Sequence, residues 1–288
     1  MLSWFSAIDA QLIARLQSHK LHHALLLSGP SGLGKHAYLP ELAQAILCQS
    51  KHSRCGTCQS CQLFAAGSHP DFYMIQSDKQ IGVDDVRQGL EKLQGHAQLQ
   101  QNKCLIIHAA DTMTESAANA LLKTLEEPTN NTFIILSASS ARLLPTILSR
   151  CEKLTLPLAS VSEIQSWLTT EHNLSANEAL VNAYATPFKV LAALEDSSGL
   201  TFAEFSDDIQ AIQTGNLLPL HFGQKWQSKA IECIGWLQHY YLQQTKLKMG
   251  TADYTYFAQK LKLSTLTASK MHHAGINKAL LLSELLSQ

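Results

Sequence analysis

Seven consecutive residues constrain this chain more than any other stretch: Gly29-Pro30-Ser31-Gly32-Leu33-Gly34-Lys35. They fit the G-x-x-x-x-G-K part of a phosphate-binding loop, which works only between a strand and a helix. The glycines let backbone N–H groups cradle phosphate at a helix N-terminus, and the lysine reaches the outer phosphates. The flanks comply. Ala24-Leu25-Leu26-Leu27-Ser28 is a short apolar run suited to a buried strand, and Lys35 to Leu47 reads as a helix. Pro40 lies beyond the first turn of that helix and predicts a kink or a local adjustment.

Further apolar runs alternate with helical patterns. Residues 6–18 read as an amphipathic helix, 71–75 as a strand, 82–96 as a helix and 104–107 as a second buried strand. Glu115–Glu126 is a helix with Ala118, Leu121, Leu122 and Leu125 on one face, stopped by Pro128. Residues 132–136 and Leu154–Pro157 complete the set of strands. Such alternation implies an α/β domain with a mostly parallel sheet. After Pro157 strand signals nearly vanish. Short helices are expected over 160–197, with Ser162 as a cap before Glu163, and Ser197-Ser198-Gly199 reads as a break. Longer helices follow, with stripes at Ile231/Ile234/Leu237 and Leu280/Leu281/Leu285. The fold class is α/β plus all-α.

The phosphate loop is incomplete. The residue after Lys35 should carry a hydroxyl for Mg²⁺, but it is His36, and imidazole is a poor ligand for a hard, oxygen-seeking cation. In such ATPases an apolar strand also ends in an acid that helps hold the metal. Here 104–107 is followed by His108-Ala109-Ala110, and Asp111 arrives three residues late. The residues leave two readings open. Either the loop only packs a turn, or it binds nucleotide without turnover.

Cys48, Cys55, Cys58 and Cys61 fall within fourteen residues at the spacing C-x6-C-x2-C-x2-C. Two short gaps let thiolates converge from a tight turn, eased by Gly56, and four thiolates form the closed tetrahedral site that structural zinc prefers. An iron–sulfur centre uses four cysteines too, and unligated thiols are the bland alternative. His52 and His69 are read as bystanders. The N-terminus lacks a basic region before its apolar positions, which Asp9 interrupts, and no apolar run approaches a membrane span. A soluble, cytoplasmic protein is expected. The formal net charge of -1 offers no field to attract nucleic acid, and Lys51 and Arg54 are a thin phosphate-binding set. A zinc-dependent DNA-binding module is therefore disfavoured. Arg150, in Thr146-Ile147-Leu148-Ser149-Arg150-Cys151, is either a surface charge or a guanidinium that serves a neighbouring active site.

Several segments resemble the bacterial DNA polymerase III clamp-loader family of AAA+ proteins. They are AANALLKTLEEP from Ala117 to Pro128, Ile147-Leu-Ser-Arg-Cys151, and HHALLLSGP from His22 to Pro30. Within that family, the lost acids after residue 107, Gly67-Ser-His-Pro-Asp-Phe72 and Gly275-Ile-Asn-Lys-Ala-Leu-Leu281 favour the delta prime branch over the gamma/tau ATPases. The resemblance implies a RecA-like AAA+ domain at 1–158 with a four-cysteine zinc insert, a helical lid at 159–205 and a helical collar at 206–288. It implies a hetero-pentameric ring with gamma/tau and delta subunits, which reaches the sliding clamp and primer-template DNA through the assembly. It further implies that Arg150 is an arginine finger for a neighbour's ATP, and that Gly29, Gly32, Gly34 and Lys35 are a degenerate nucleotide site. The lid arginine of active subunits would fall near Phe188, beside Lys189. No ATPase is expected of the chain alone, although it would be part of a multi-subunit nucleotidyltransferase. The competing expectation is an active ATPase using Asp111 or Glu115.

Overall fold

The computed structural model describes residues 1–50, 53–77, 79–99, 101–129, 131–139, 143–197, 200–271 and 275–287. Lys51, His52 and the Ser198-Gly199 part of the expected break lie outside them. The chain divides into two compact units, Met1–Glu163 and Ile164–Gln288.

The first unit is built on strands β1 (Ala24–Ser28), β2 (Phe72–Ile75), β3 (Lys103–Ile107), β4 (Thr132–Ala138) and β5 (Glu152–Thr155). All pair in parallel, in the order β2-β3-β4-β1-β5. Parallel strands need crossovers, and the helices supply them: α1 (Ser6–Gln17) precedes the sheet, and α2 (Lys35–Leu47), α3 (Gln59–Ala65), α4 (Val83–Lys92), α5 (Glu115–Glu126) and α6 (Pro145–Leu148) connect its strands. Successive side chains of a strand point to opposite faces. Ala24, Leu26, Leu105, Ile107, Ile134 and Leu136 accordingly join one core with Val86 of α4 and Ala117, Leu121 and Leu125 of α5. Leu25, Leu27, Cys104, Ile106 and Ile135 are buried as well, and α2 packs against β3 and β4. Burial on both faces explains why the central strands read as continuous apolar runs.

The edge strand and the cap of the next helix need correction. The last strand is Glu152–Thr155 rather than Leu154–Pro157, because Leu25 pairs with Glu152 and Ser28 with Thr155. A charged residue is tolerated on this edge because both guanidinium Nη atoms of Arg15 donate to the Glu152 carboxylate at 2.6 Å. Helix α2 carries Pro40 in its interior, where the missing N–H removes one bond of the helical ladder. The cap of α7 (Val161–His172) is Ser160, not Ser162: Ser160 Oγ accepts from Glu163 N, and Ser160 N donates back to Glu163 Oε2 at 2.8 Å.

Beyond α7 the second unit is helical among its described residues: α8 (Glu178–Tyr184), α9 (Pro187–Glu195), α10 (Phe202–Gln213), α11 (Pro219–Trp226), α12 (Ala230–Leu247), α13 (Tyr254–Lys270) and α14 (Lys278–Ser287). Its core gathers Phe205, Phe222, Trp226, Ile234, Trp236, Leu237, Tyr241, Leu282 and Leu285. Helices α11 and α14 touch so closely that a Cβ on Gly223 would lie 2.2 Å from the Ala279 carbonyl oxygen. The expected stripes shift: Ile231 and Leu280 are exposed, whereas Cys233, Trp236, Ala279 and Leu282 face inward. None of the described helices is long and apolar enough to cross a membrane.

Candidate functional site

The loop follows β1 directly. Gly32 and Gly34 adopt φ of 80° and 101°, which L side chains resist, so the turn into α2 requires them. A Cβ on Gly29 would meet Leu33 Cδ2 at 2.8 Å. Trp4 donates its indole N–H to the Leu33 carbonyl at 3.0 Å and anchors the loop from below. Lys35, only 4% exposed, turns back onto this loop. Its Nζ donates to the carbonyls of Gly29 at 2.6 Å and Pro30 at 2.9 Å, and to Ser139 Oγ at 3.1 Å.

The ends of β3 and β4 complete the surroundings. His108 Nδ1 lies 2.9 Å from Ser137 Oγ, and Ala109, at φ 53°, donates its N–H to the same oxygen. Asp111 reaches the edge of the site, where its Oδ2 accepts from Ser139 N at 3.3 Å. His36 titrates below the usual imidazole range because it is partly desolvated and beside the Lys35 ammonium. His108 is held down by burial first, then by His36 and Lys35. A lysine and two imidazoles thus gather beside the loop, with the Asp111 carboxylate as the acidic neighbour of His108.

The four cysteines converge. Their Sγ atoms all lie within 4.8 Å of one another. Cys48 and Cys58, and likewise Cys55 and Cys61, are 4.0 Å apart. Sulfurs at the corners of a tetrahedral site with Zn–S of about 2.3 Å are about 3.8 Å apart, so the set fits an ion with little movement. Backbone N–H groups of Ser50, Cys55, Cys58 and Cys61 point at these sulfurs at 3.3–3.5 Å, the arrangement thiolates call for. A hydrogen bond from Thr57, followed by backbone N–H bonds, draws the Cys55 thiol down to about 6, while burial pushes Cys61 up to about 12. Gly56, at φ 72°, makes the turn. The group can hold a metal ion.

Arg150 lies just before β5, at the other end of the sheet from the phosphate loop, which follows β1. Because β1 and β5 run parallel, about 16 Å of strand separates the two levels. The guanidinium does not serve its own chain's loop. It pairs with Glu126 at the end of α5.

This geometry has counterparts of known kind. Residues 6–160 match the family model described as "DNA polymerase III, delta subunit". The DNA polymerase III subunit delta' of Yersinia pestis is 33% identical over 281 residues, spanning 90% of this chain and 81% of that protein. The chain belongs to the DNA polymerase III delta prime family. The delta prime subunits of Haemophilus influenzae and Escherichia coli are 40% and 35% identical, over 67% and 80% of this chain. The chain spans 60% and 64% of the length of those two relatives. The tau subunit of E. coli is 31% identical over 200 residues, 68% of this chain and 30% of that one.

This delta prime family member carries contacts that spacing does not reveal. The family-like segment Gly67–Phe72 is a lock. Asp71 N donates to His69 Nδ1 at 3.1 Å, so the ring proton is on Nε2, which faces Ser60 Oγ at 2.8 Å; Ser60 in turn donates to the Leu47 carbonyl. The Asp71 carboxylate accepts from Gln98 N and Leu99 N at 2.8 and 2.9 Å. His69 is therefore outside the cysteine set, and it joins α2, α3 and the start of β2. Asp9 is equally structural: buried, it pairs with Arg54 and accepts from the Tyr38 hydroxyl at 3.0 Å.

Proposed function

We propose that this chain acts as a clamp-loader subunit that binds at most nucleotide without turnover and completes a neighbour's active site through Arg150. The observation that carries this reading is the posture of Lys35, whose ammonium is held by its own loop while His36 and His108 stand where magnesium ligands are needed. The position of Arg150 at the far end of the sheet supports action in trans, since a guanidinium that far from its own loop stabilises phosphoryl charge only on another subunit. In this reading 1–158 is the RecA-like domain, 159–205 the lid and 206–288 the collar of a hetero-pentamer with gamma/tau and delta. The ring would open a sliding clamp on primer-template DNA. Phe188, whose ring packs on Trp167 at 5.0 Å, then stands where active subunits carry a lid arginine. Cys48, Cys55, Cys58 and Cys61 would hold a structural zinc ion that braces α3 against the end of α2.

The test is ATP turnover with Mg²⁺ by the isolated chain, beside DNA-stimulated turnover by a reconstituted loader containing wild-type chain or Arg150→Ala. A silent isolated chain and a marked drop in the mutant assembly support the reading. A finger is worth roughly 10³–10⁵-fold at one site, diluted by the other sites of the ring. Turnover by the chain alone would instead favour catalysis with Asp111 or Glu115.

A further inference from the structure

The way Arg150 is held points to a second residue in its action. Its Nε donates to Glu126 Oε1 at 2.7 Å, and its Nη2 pairs with the same carboxylate oxygen. Its Nη1 donates to the Thr146 carbonyl at 2.8 Å and to Ser149 Oγ at 3.3 Å. A guanidinium has five N–H donors. These contacts engage four of them, and they cover both the Nε/Nη2 edge and Nη1. A phosphate gripped in bidentate fashion takes two parallel N–H bonds. It must therefore displace at least one of these internal partners. Glu126 is the partner that competes most directly, because it presents the same kind of oxygen anion to the same edge. The pair is accessible, with side chains 31% and 48% exposed, so exchange needs no unfolding.

We propose that Glu126 is a positioning residue that holds Arg150 in reserve on the chain's own α5, and that a neighbour's nucleotide phosphate draws the guanidinium away from it. The inference rests on the reading of Arg150 as a trans-acting finger. It adds a partner anion within the chain, and hence a threshold. Arg150 leaves Glu126 only when a stronger anion, such as a nucleoside triphosphate rather than a diphosphate, is presented.

The test uses the reconstituted loader with wild-type chain, Glu126→Gln, Glu126→Asp, Arg150→Ala and the double substitution Glu126→Gln/Arg150→Ala. DNA-stimulated ATPase is measured against ATP concentration at low and high salt. Glu126→Gln keeps the shape and removes the charge, so it is expected to lower the KM for ATP by about two- to five-fold, the range of an exposed ion pair. Glu126→Asp should stay near wild type. The Gln effect should shrink at high salt, where such pairs are screened, and vanish when Arg150 is absent. If Arg150→Ala alone changes nothing, the finger reading itself falls. If Arg150→Ala lowers turnover but Glu126→Gln leaves the KM unchanged, or acts equally in the Arg150→Ala background, the finger stands and the role of Glu126 is overturned.

Discussion

The Lys35 ammonium lies 2.6 Å from the Gly29 carbonyl oxygen, so the residue that should grip a phosphate grips the backbone of its own loop. Two further acceptors, the Pro30 carbonyl and Ser139 Oγ, tie the loop to the residue that follows β4. In this state the lysine contributes to stability. Lys35→Met keeps the aliphatic stem and removes all three bonds. A charged hydrogen bond contributes about 1.5–3 kcal/mol, and its loss leaves acceptors to be satisfied by water. Lys35→Met is therefore expected to lower the melting temperature of the isolated chain by several degrees. A thermal melt without nucleotide checks this, and an unchanged melting temperature would mean the loop is held by Trp4 and the glycines alone.

The cysteine set leads to a second expectation. Its thiols pull in opposite directions without an ion, Cys55 toward about 6 and Cys61 toward about 12, and a bound cation would hold all four as thiolates. Purified chain should contain one equivalent of zinc. Chelation at neutral pH should lower the melting temperature, and added Zn²⁺ should restore it. Cys58→Ser should abolish stoichiometric zinc, because Cys58 would be a ligand and is also the residue whose Sγ accepts from Cys61 N at the start of α3. Metal analysis and melts with and without chelator decide the matter; chain that carries iron instead would show visible absorption.

Much of this was legible in the residues, and the remainder was not for a common reason. The phosphate loop, the central strands and the cysteine cluster announce themselves because each is local: a turn that only glycine permits, apolar runs buried on both faces, and ligands a few residues apart. The contacts that hold these pieces together are not local. Trp4 reaches Leu33, Arg54 reaches Asp9, and Arg150 reaches Glu126, across 29, 45 and 24 residues. A periodicity has no way to report such partners. The bounds of the edge strand are set by its pairing with β1, not by its apolarity, and pairing leaves no mark in the local pattern. In the helical unit, Ile231 and Leu280 follow helical spacing yet face outward, since the packing of several helices, not spacing alone, chooses the buried face.

The Asp9–Arg54 pair carries a stability expectation of its own. Arg54 Nη1 donates to Asp9 Oδ2 at 3.0 Å and its Nε to the Glu41 carbonyl at 2.7 Å, which pins the cysteine loop to α1 and α2. Asp9 is 7% exposed, so Arg54→Ala leaves a buried carboxylate without its cation. Breaking a buried pair in this way typically costs about 3–5 kcal/mol. Arg54→Ala should lower the melting temperature more than Arg54→Ala/Asp9→Asn, which removes the stranded charge. Equal melting temperatures would show that water already compensates Asp9.

His69 makes stability depend on pH. Burial holds its imidazole below the ordinary range, and the neutral tautomer satisfies both ring nitrogens: Nδ1 accepts from Asp71 N and Nε2–H donates to Ser60 Oγ. Protonation would put a hydrogen on Nδ1, against the Asp71 N–H. The unfolded chain, with an imidazole near the usual value of about 6.5, therefore takes up the proton first. The contribution of the neutral ring is fully present above about pH 6.5 and is lost as pH falls below it toward the folded value. Its slope approaches about 1.4 kcal/mol per pH unit only between the two values. His36, His108 and His239 are shifted the same way, so wild-type stability should decline from pH 7.5 to 5.5 with excess zinc present. His69→Gln should start lower at pH 7.5 and decline less steeply, because one of these linked protons is gone. Denaturant titrations of both chains at closely spaced pH values test this; parallel curves would assign the pH dependence to the other histidines or to the thiolates, and would remove His69 as its source.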